Sequence, residues 1–458
     1  MGERQSPFDL LTALFQDEEA AEIWSERSTV EHWLRVEAEL AQAQAEVGLI
    51  SIQDADLIGK ACDVDRIDCE VMWTEARNVG YPILPLVRQI ARALPEGANG
   101  RVHFGATTQD IMDTALALQL RASCERLDQL IVRWGDALQV LIESHAGTVM
   151  AGRTHAQHAV PTTFGAKMAV FLEEVRRELD GVRAVAEDVA VISLFGAGGT
   201  SAAMGERSAK VRSALARRLD LADTTIPWHV ARGRVAQYGM RLASLAAVCT
   251  RFAREVVDLS RTEIAEVRER GGHMRGASST MPQKANPISS EVVIGLSVYA
   301  STVATAVLRA MEAGHERAAG EWQIEWIVLP QITSALATSL AVSAETAESL
   351  QIFPDAMIRN VDAEVGLIMS EAVMMRLAEH IGRERAHDLV YDAAARVRAE
   401  GSDLEPALNG VVPPELLEKV GPIRPQDYIG EATSICAAAI SAWRTTRNQS
   451  NPESEVAR

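Results

Sequence analysis

The chain has 458 residues, of which 47% are hydrophobic and 24% are charged, and its formal net charge is −18. A chain of this composition can bury a large core, and its length predicts roughly three domains of about 150 residues each. The acidic balance excludes nucleic acid as a partner, because binding to phosphates needs clustered lysines and arginines.

Cysteine usage and hydropathy indicate the compartment. The five cysteines are scattered and fit neither a zinc motif nor a redox motif, which predicts reduced thiols. Residues 1–15 carry charges of both signs without a long apolar segment, so no secretory signal is expected. No uninterrupted apolar run of about 18 residues occurs, which predicts that no segment spans a membrane. We therefore expect a cytoplasmic protein that does not bind membranes.

Helical periodicity dominates the chain. Ser28 and Glu31 have the spacing of a capping box, and the residues that follow are apolar at three- and four-residue steps. More runs of this period follow, and some exceed about 25 residues without glycine or proline. These runs begin near Asp110, Phe164, Arg234 and Ser289. The pattern predicts an all-α protein with a central bundle of long helices.

Breaks in the periodicity suggest three domains. We predict an N-terminal helical domain over residues 1–109 and a central long-helix bundle over residues 110–352. A small helical domain over residues 353–458 completes the chain and ends in a polar tail that we expect to be disordered.

The first polar cluster between helices is "RVHFGATTQDIMDTA", from Arg101 to Ala115. Its paired threonines, Thr107 and Thr108, precede Asp110, which we expect to cap the next helix. One interpretation is simply a well-capped helix. The alternative is that the threonines and the free amides of the helix start bind a carboxylate.

The second cluster is "GRTHAQHAVPTTFGAK", from Gly152 to Lys167. His155 and His158 are three residues apart, but no further metal ligand lies nearby, so we predict no metal site. A histidine in a polar loop is a candidate general acid or base.

The third cluster, "RGASSTMPQKANPISSE", runs from Arg275 to Glu291. Its prolines break any helix, and its hydroxyl groups are too polar for a core. A serine acts as a base only when backbone amides and positive charge stabilise its alkoxide, and a glycine-containing loop with Lys284 offers both. We interpret this stretch as a mobile lid that carries the catalytic base Ser278.

These three motifs resemble those of the aspartase/fumarase superfamily, whose serine loop is usually written SSxMPxKxNP. The resemblance covers the chain from about Phe8 to about Arg444, with the motifs in the same order. It implies three helical domains and a homotetramer with a twenty-helix core. It also implies active sites that are shared between subunits and act on a small dicarboxylate.

The resemblance also implies roles for individual residues. Ser278 would be the catalytic base, and His155 would protonate the leaving group, with His103 as a second candidate acid. The other implied residues would bind the substrate, although the arginine pair lacks the aspartate that the family places between its members. These residues are Thr107, Thr108, Arg153, Thr154, Gln157, Arg232, Arg234, Lys284 and Asn286.

The motifs resemble both adenylosuccinate lyase and 3-carboxy-cis,cis-muconate cycloisomerase. Trp322, Gln323 and Trp326 stand where the nucleotide branch binds phosphate, and tryptophans cannot replace charge-assisted phosphate contacts. His155 stands where cycloisomerases often carry tryptophan. We therefore expect β-elimination of a nitrogen group from a substituted succinate, with release of fumarate and without a cofactor. The cycloisomerase remains the alternative, and a non-catalytic homologue is a third possibility.

Overall fold

The computed structural model describes residues 14–273, 275–281 and 283–449. Helices dominate this part of the chain and confirm the predicted all-α fold class with long helices. The helices as far as residue 259 are α1 (Glu18–Ile23), α2 (Glu26–Glu46), α3 (Ile52–Ala61), α4 (Cys69–Val79), α5 (Ile83–Arg92), α6 (Thr108–His145), α7 (Phe164–Val189), α8 (Ser208–Leu219) and α9 (Gly233–Leu259).

The remaining helices of the described chain follow from residue 288. They are α10 (Ile288–Ala304), α11 (Val307–Ala310), α12 (Glu321–Ser349), α13 (Pro354–Asp362), α14 (Ser370–Ile381), α15 (Arg383–Glu400), α16 (Leu404–Asn409), α17 (Pro414–Val420) and α18 (Ala432–Asn448). Two antiparallel pairs of strands accompany them. One joins β1 (Val149–Thr154) to β2 (Gln157–Thr163), and the other joins β3 (Val267–Arg268) to β4 (Gln351–Ile352).

The chain groups into two compact units, each made of three segments. The first unit comprises Met1–Leu130, Glu178–Ala247 and Gly295–Ala341. The second unit comprises Ile131–Arg177, Val248–Ile294 and Val342–Arg458. The three domains predicted for residues 1–109, 110–352 and 353–458 remain a prediction. The polar tail from residue 450 onwards lies outside the described residues.

The start of α2 corrects one prediction. Ser25, and not Ser28, is the N-cap, because its side chain accepts the backbone N–H of Ser28. Ser28 lies inside the helix, and its hydroxyl donates to the carbonyl of Ile23 at 3.2 Å. The predicted capping box over Ser28 and Glu31 is therefore wrong by one turn. A second serine three residues upstream offers the same chemistry at a position where the backbone is still extended.

Each unit has its own core. In the first unit the apolar face of α2 packs with α3 and α8, and Leu34 and Leu215 are fully buried there. In the second unit Trp134, Phe171 and Phe252 form edge-to-face pairs with ring centroids 5.5 and 5.6 Å apart. Aromatic pairs of this geometry add about 0.5–1.5 kcal/mol each to the hydrophobic effect. All five cysteines are free thiols.

Two helical stretches of the described chain have the length and hydropathy of a membrane span. The stretch Glu321–Ser349 is 72% buried within the protein, so its apolar character is that of a core helix. The stretch Ile288–Ala310 is only 28% buried. Its outer face therefore presents apolar side chains, including Val298 and Leu308, that this single chain does not cover.

Candidate active site

Asp110 organises the start of α6 in the first unit. Its side chain is fully buried and accepts backbone N–H groups from Thr107 (3.0 Å), Phe195 (2.9 Å) and Gly196 (2.8 Å). The Nε2 atom of His229 lies 2.8 Å from the same carboxylate. A buried carboxylate with this many donors is held in one position, and it fixes the backbone of Thr107 in turn.

This arrangement refines the prediction for the first polar cluster. Asp110 is not the N-cap; it lies in the first turn of α6 and reaches back to the amide of Thr107. That amide is consequently engaged by the protein itself, whereas the sequence had predicted an amide free to bind a substrate. The hydroxyl groups of Thr107 and Thr108 form no hydrogen bond within the described part of the chain, and both residues are half-buried. Their role in carboxylate binding stays a prediction.

His103 lies in the loop before α6 and forms a buried pair with Glu37. Its Nδ1 atom is 2.6 Å from the Glu37 carboxylate, and Glu37 is fully buried on α2. Burial by itself lowers the pKa of His103, but the charge and hydrogen bond of Glu37, together with Asp110, raise that pKa above its ordinary value. The residue has a φ of 60°, a left-handed conformation that is uncommon for histidine. These contacts favour a protonated imidazole.

Arg232 is completely buried between two acids of the first unit. Its guanidinium donates to Asp113 at 2.8 Å and to Glu325 at 2.8 Å. Burial raises the pKa of Glu325, while Arg232 acts in the opposite direction. Arg234 is half-buried and donates to the carbonyl of Asp188 at 3.3 Å. Substrate binding by this arginine pair remains a prediction, and in the structure Arg232 is occupied by carboxylates of the protein.

The hairpin β1–β2 of the second unit carries the second polar cluster. Its two-residue turn consists of His155 and Ala156, with φ values of 52° and 61°. This is the type I′ geometry, which asparagine and glycine adopt most readily. The turn exposes Thr154, His155 and Gln157 to solvent. The imidazole of His155 is therefore presented to solvent at the tip of the hairpin, and its role as a proton donor stays a prediction.

Arg153 lies in the same hairpin and forms an ion pair with a buried acid of the second unit. Its guanidinium donates to both oxygens of Glu266, at 2.9 and 2.7 Å, and Asn360 donates to the same carboxylate at 2.8 Å. Glu266 is fully buried, so this bidentate pair anchors the hairpin. Binding of substrate by Arg153 stays a prediction. The Nδ1 atom of His158 is buried without a partner among the described residues.

The loop between β3 and α10 holds Ser278. Its Oγ accepts the backbone N–H groups of Thr280 (3.3 Å) and Met281 (3.2 Å). Ala277 pairs with Ala285 in an isolated antiparallel bridge. Ser278 and Lys284 are the next residues inward from this bridge, one on each side of the loop, and the Lys284 N–H donates to the Met281 carbonyl at 3.1 Å.

Asn286 and Gly276 close this bridge at its base. The backbone N–H of Asn286 donates to the Gly276 carbonyl at 3.0 Å, and its side-chain amide donates to the same oxygen at 3.1 Å. Gly276 has a φ of 67°, and a Cβ atom there would lie 2.6 Å from the Asn286 carbonyl oxygen. The glycine is therefore required by both backbone conformation and space. Asn286 thus shapes the loop in addition to its predicted contact with substrate.

The structure places the predicted residues in four groups. His103, Thr107 and Thr108 lie at the start of α6, Arg153 to Gln157 in the hairpin, Ser278, Lys284 and Asn286 in the serine loop, and Arg232 and Arg234 at the start of α9. Sequence reasoning missed the acids that hold these groups, namely Glu37, Asp113, Glu266 and Glu325. One signal was available, because Glu37 stands four residues after Trp33 and three after Leu34, on the apolar face of α2.

Comparison with known proteins identifies a helical enzyme of the lyase kind. Residues 11–301 match the family model described as lyase, and residues 366–439 match the model described as adenylosuccinate lyase C-terminus. The chain belongs to the aspartase/fumarase superfamily of lyases, as its motifs predicted.

Relatives of known name show how diverse the reactions are. The chain is 38% identical to trans-aconitate decarboxylase 1 of Mycosarcoma maydis, over 83% of this chain and 78% of that protein. It is 38% identical to a 3-carboxy-cis,cis-muconate cycloisomerase of Bradyrhizobium diazoefficiens, over 84% of this chain and 86% of that protein. The crystal structure of a fumarate lyase from Mesorhizobium sp. BNC1 superposes with a TM-score of 0.86 at 35% identity, covering 93% and 98% of the two chains.

Proposed function

We propose that the protein eliminates a nitrogen group from a substituted succinate and releases fumarate. The observation that carries this proposal is the environment of Ser278. Two backbone amides donate to its Oγ, and Lys284 stands one residue inward from the same Ala277–Ala285 bridge, on the other side of the loop. Amide donors and a nearby cation are the groups that stabilise an alkoxide, so this serine is suited to abstract a proton.

The proposed reaction begins with the two carboxylates of the substrate. Lys284 and the hydroxyls of Thr107, Thr108 and Thr154 bind them, with the side-chain amide of Asn286. Ser278 then removes the proton from the carbon next to one carboxylate, and negative charge develops on that group. Preorganised donors of this kind lower the barrier because they need not reorient as the charge forms.

The leaving nitrogen requires a proton, and two histidines are candidates to supply it. His155 is exposed at the turn of the hairpin, whereas His103 is paired with Glu37 in a position that favours its charged form. General acid catalysis of this type contributes about 10²–10⁴-fold. Either histidine is suited to protonate a departing nitrogen. Their presence therefore favours the elimination over a reaction that has no leaving group.

We further propose that the protein forms a homotetramer with shared active sites. The stretch Ile288–Ala310 supports this, because it is strongly apolar but only 28% buried in one chain. A contiguous apolar face of this kind is characteristic of a surface covered by other subunits.

The cycloisomerase is a second candidate. It is favoured by the Bradyrhizobium diazoefficiens relative, which is 38% identical to this chain. Lactonisation joins two parts of one molecule and needs no acid for a departing nitrogen. A His155→Trp variant distinguishes the two reactions. The cycloisomerase would tolerate this change, whereas the elimination would lose rate.

Fumarate binding tests the proposal without assumptions about the leaving group. Fumarate at a hundred times its dissociation constant should stabilise the protein by about 2.7 kcal/mol, visible as a shift of the thermal midpoint. Lys284→Ala should weaken this shift, and the exposed control Lys419→Ala should leave it unchanged. The absence of a shift at high fumarate would contradict the elimination and favour the cycloisomerase.

A further inference from the structure

A large aromatic cavity lies within the first unit and includes none of the proposed catalytic residues. Its volume is about 560 Å³, within the range of about 300–1,000 Å³ that is usual for sites binding small organic molecules. Ammonia is about as large as one water molecule, which takes up about 30 Å³ in the liquid. A cavity of this size accommodates a much larger group. Six aromatic side chains line it: Trp24, Trp33, Trp73, Tyr81, Trp322 and Trp326.

The aromatic rings form two contact groups. Trp322 and Trp326 meet edge to face with centroids 4.9 Å apart, and Tyr81 stacks on Trp322 at 6.0 Å. Trp33 and Trp73 form a second edge-to-face pair at 6.1 Å. The faces of such rings carry negative electrostatic potential, and several of them together form a site that attracts an organic cation.

The charged groups of the cavity act in the same direction. Asp113 and Glu325 line it, and both are bound to the buried Arg232. The triad therefore sets two carboxyl groups against one guanidinium at this end of the cavity. The other two charged lining residues, Glu26 and Arg77, are exposed and have opposite signs. A phosphate or carboxylate would therefore meet net repulsion at the buried end of the cavity, whereas an ammonium group would be stabilised.

The cavity lies along the same face of α6 as one of the proposed carboxylate ligands. Met112 and Gln119 line the cavity, and they follow Thr108 by four and eleven residues, which brings all three to one side of the helix. Thr108 is about 6 Å from Met112 along the helix axis. A succinyl group held at Thr108 can therefore extend a substituent towards the aromatic rings.

We propose that this cavity binds the amine half of the substrate, which is an N-substituted aspartate with a bulky, uncharged or cationic organic group. This inference rests on the proposed function. In the reaction the C–H proton passes to the base and its electron pair forms the C=C bond of fumarate. The C–N bond breaks, its electron pair stays on nitrogen, and the acid supplies the proton. The products are fumarate and an organic ammonium ion.

Binding of three small probes tests the chemistry of the cavity directly. Benzylammonium, benzyl alcohol and phenyl phosphate share a ring but differ in charge, and tryptophan fluorescence of the full-length protein reports their binding. We expect benzylammonium to bind about tenfold more tightly than phenyl phosphate, a ratio in the range of cation–π contacts. Equal affinities, or no saturable binding of benzylammonium, would overturn the assignment.

Matched tyrosine variants locate the binding site. Tyr81→Ala removes a ring that lines the cavity and should weaken benzylammonium binding about tenfold. Tyr391→Ala removes an exposed ring of the second unit and should have no effect. Unchanged affinity in Tyr81→Ala would place the probe elsewhere and refute the proposal.

The Met112→Lys variant is expected to give a result that unfolding of the protein would not produce. It places a positive charge on the cavity side of α6 in a side chain of similar length. Affinity for benzylammonium should fall and affinity for phenyl phosphate should rise, so that the preference is reversed. A parallel loss of both affinities would contradict a site that selects by charge.

Turnover separates this inference from the proposed function. N-benzylaspartate should release fumarate with a higher kcat/KM than aspartate. Fumarate release from aspartate without benzylammonium binding would refute the cavity assignment alone. Binding of benzylammonium that depends on Tyr81, without fumarate release from any N-substituted aspartate, would refute the elimination and leave the cavity assignment standing.

Discussion

The start of α6 and the serine loop, one in each unit, hold their polar groups in different ways. At the start of α6, the buried acids Asp110 and Glu37 fix the backbone and the imidazole of His103. In the serine loop, Ser278 is held by amides only two and three residues away, and Lys284 is exposed. The first region is stabilised by buried charge, and the second by local backbone geometry.

This difference indicates that one region mainly supports stability and the other mainly supports turnover. A segment fixed by buried charge cannot rearrange cheaply, because each carboxylate would lose several donors at once. A loop with mostly local hydrogen bonds can move as a body and keep those bonds. We therefore expect changes at the start of α6 to affect stability, and changes in the serine loop to affect turnover.

Ser278→Ala should produce the largest effect and should act on turnover alone. Loss of the base is expected to lower kcat by about 10²–10⁴-fold, because proton abstraction then relies on solvent. Steady-state assays of fumarate release measure it, with Ser279→Ala as the neighbouring control. Near-normal kcat in Ser278→Ala would show that another group is the base.

Asp110→Asn should produce the largest effect on stability. The asparagine side chain carries an NH₂ group, which would face backbone N–H donors that the Asp110 carboxylate accepts in the native protein. We expect a loss of about 3 kcal/mol in the free energy of unfolding. Chemical denaturation measures this loss, with the exposed Asp388→Asn as control. Equal stability of the two variants would mean that Asp110 does not organise this segment.

The pair His103–Glu37 should make stability depend on pH. Its raised pKa means that the folded protein binds the proton of His103 more tightly than the unfolded chain does. This stabilisation is complete below the unfolded pKa of about 6.5 and is lost as the pH rises through the folded pKa.

Glu37→Gln removes the main cause of the raised pKa. The stability that this variant loses should be greater at low pH than at high pH, by on the order of 1 kcal/mol. Denaturation midpoints between about pH 5.5 and 8.5 test this, with the exposed Glu384→Gln as control. A loss that does not vary with pH would show that Glu37 does not raise the pKa of His103.

Ala156→Gly should produce the smallest effect and should have the opposite sign. Alanine at a φ of 61° is strained, so glycine should raise the free energy of unfolding by about 0.5–1 kcal/mol. The same change at Ala159, inside β2, should lower it by a similar amount. Thermal midpoints compare the two variants. Destabilisation by Ala156→Gly would contradict the type I′ turn.

Sequence periodicity was sufficient to predict the long helices and the all-α class, because each helix carries its own apolar stripe. The prediction failed at Ser28, where two serines compete and only the backbone decides between them. The ion-pair partners of Arg232 could not be predicted from the sequence either. Asp113 and Glu325 lie far from it along the chain, and the ion pairs arise only when the helices pack.

The candidate site was predictable where its motifs are local. The serine loop and the hairpin turn carry their chemistry within a few residues. The aromatic cavity is different, because its lining runs from Trp24 to Pro330 and no single stretch shows it. The sequence showed Trp322 and Trp326 only as residues that cannot bind a phosphate, and their packing with Tyr81 became visible only in three dimensions.

The carboxylate of Glu269 ties together the two ends of the serine loop. This buried residue stands where the loop begins, and it accepts backbone N–H groups from Ser289 (3.0 Å) and Ser290 (2.7 Å), where α10 begins. The loop is therefore a closed ring, and the entropy cost of bringing its ends together has already been met in folding. Within this ring, Ala277 pairs with Ala285 one residue before Ser278. The serine is therefore tied to the protein at two levels, and its reach is set by the few residues beyond the inner closure.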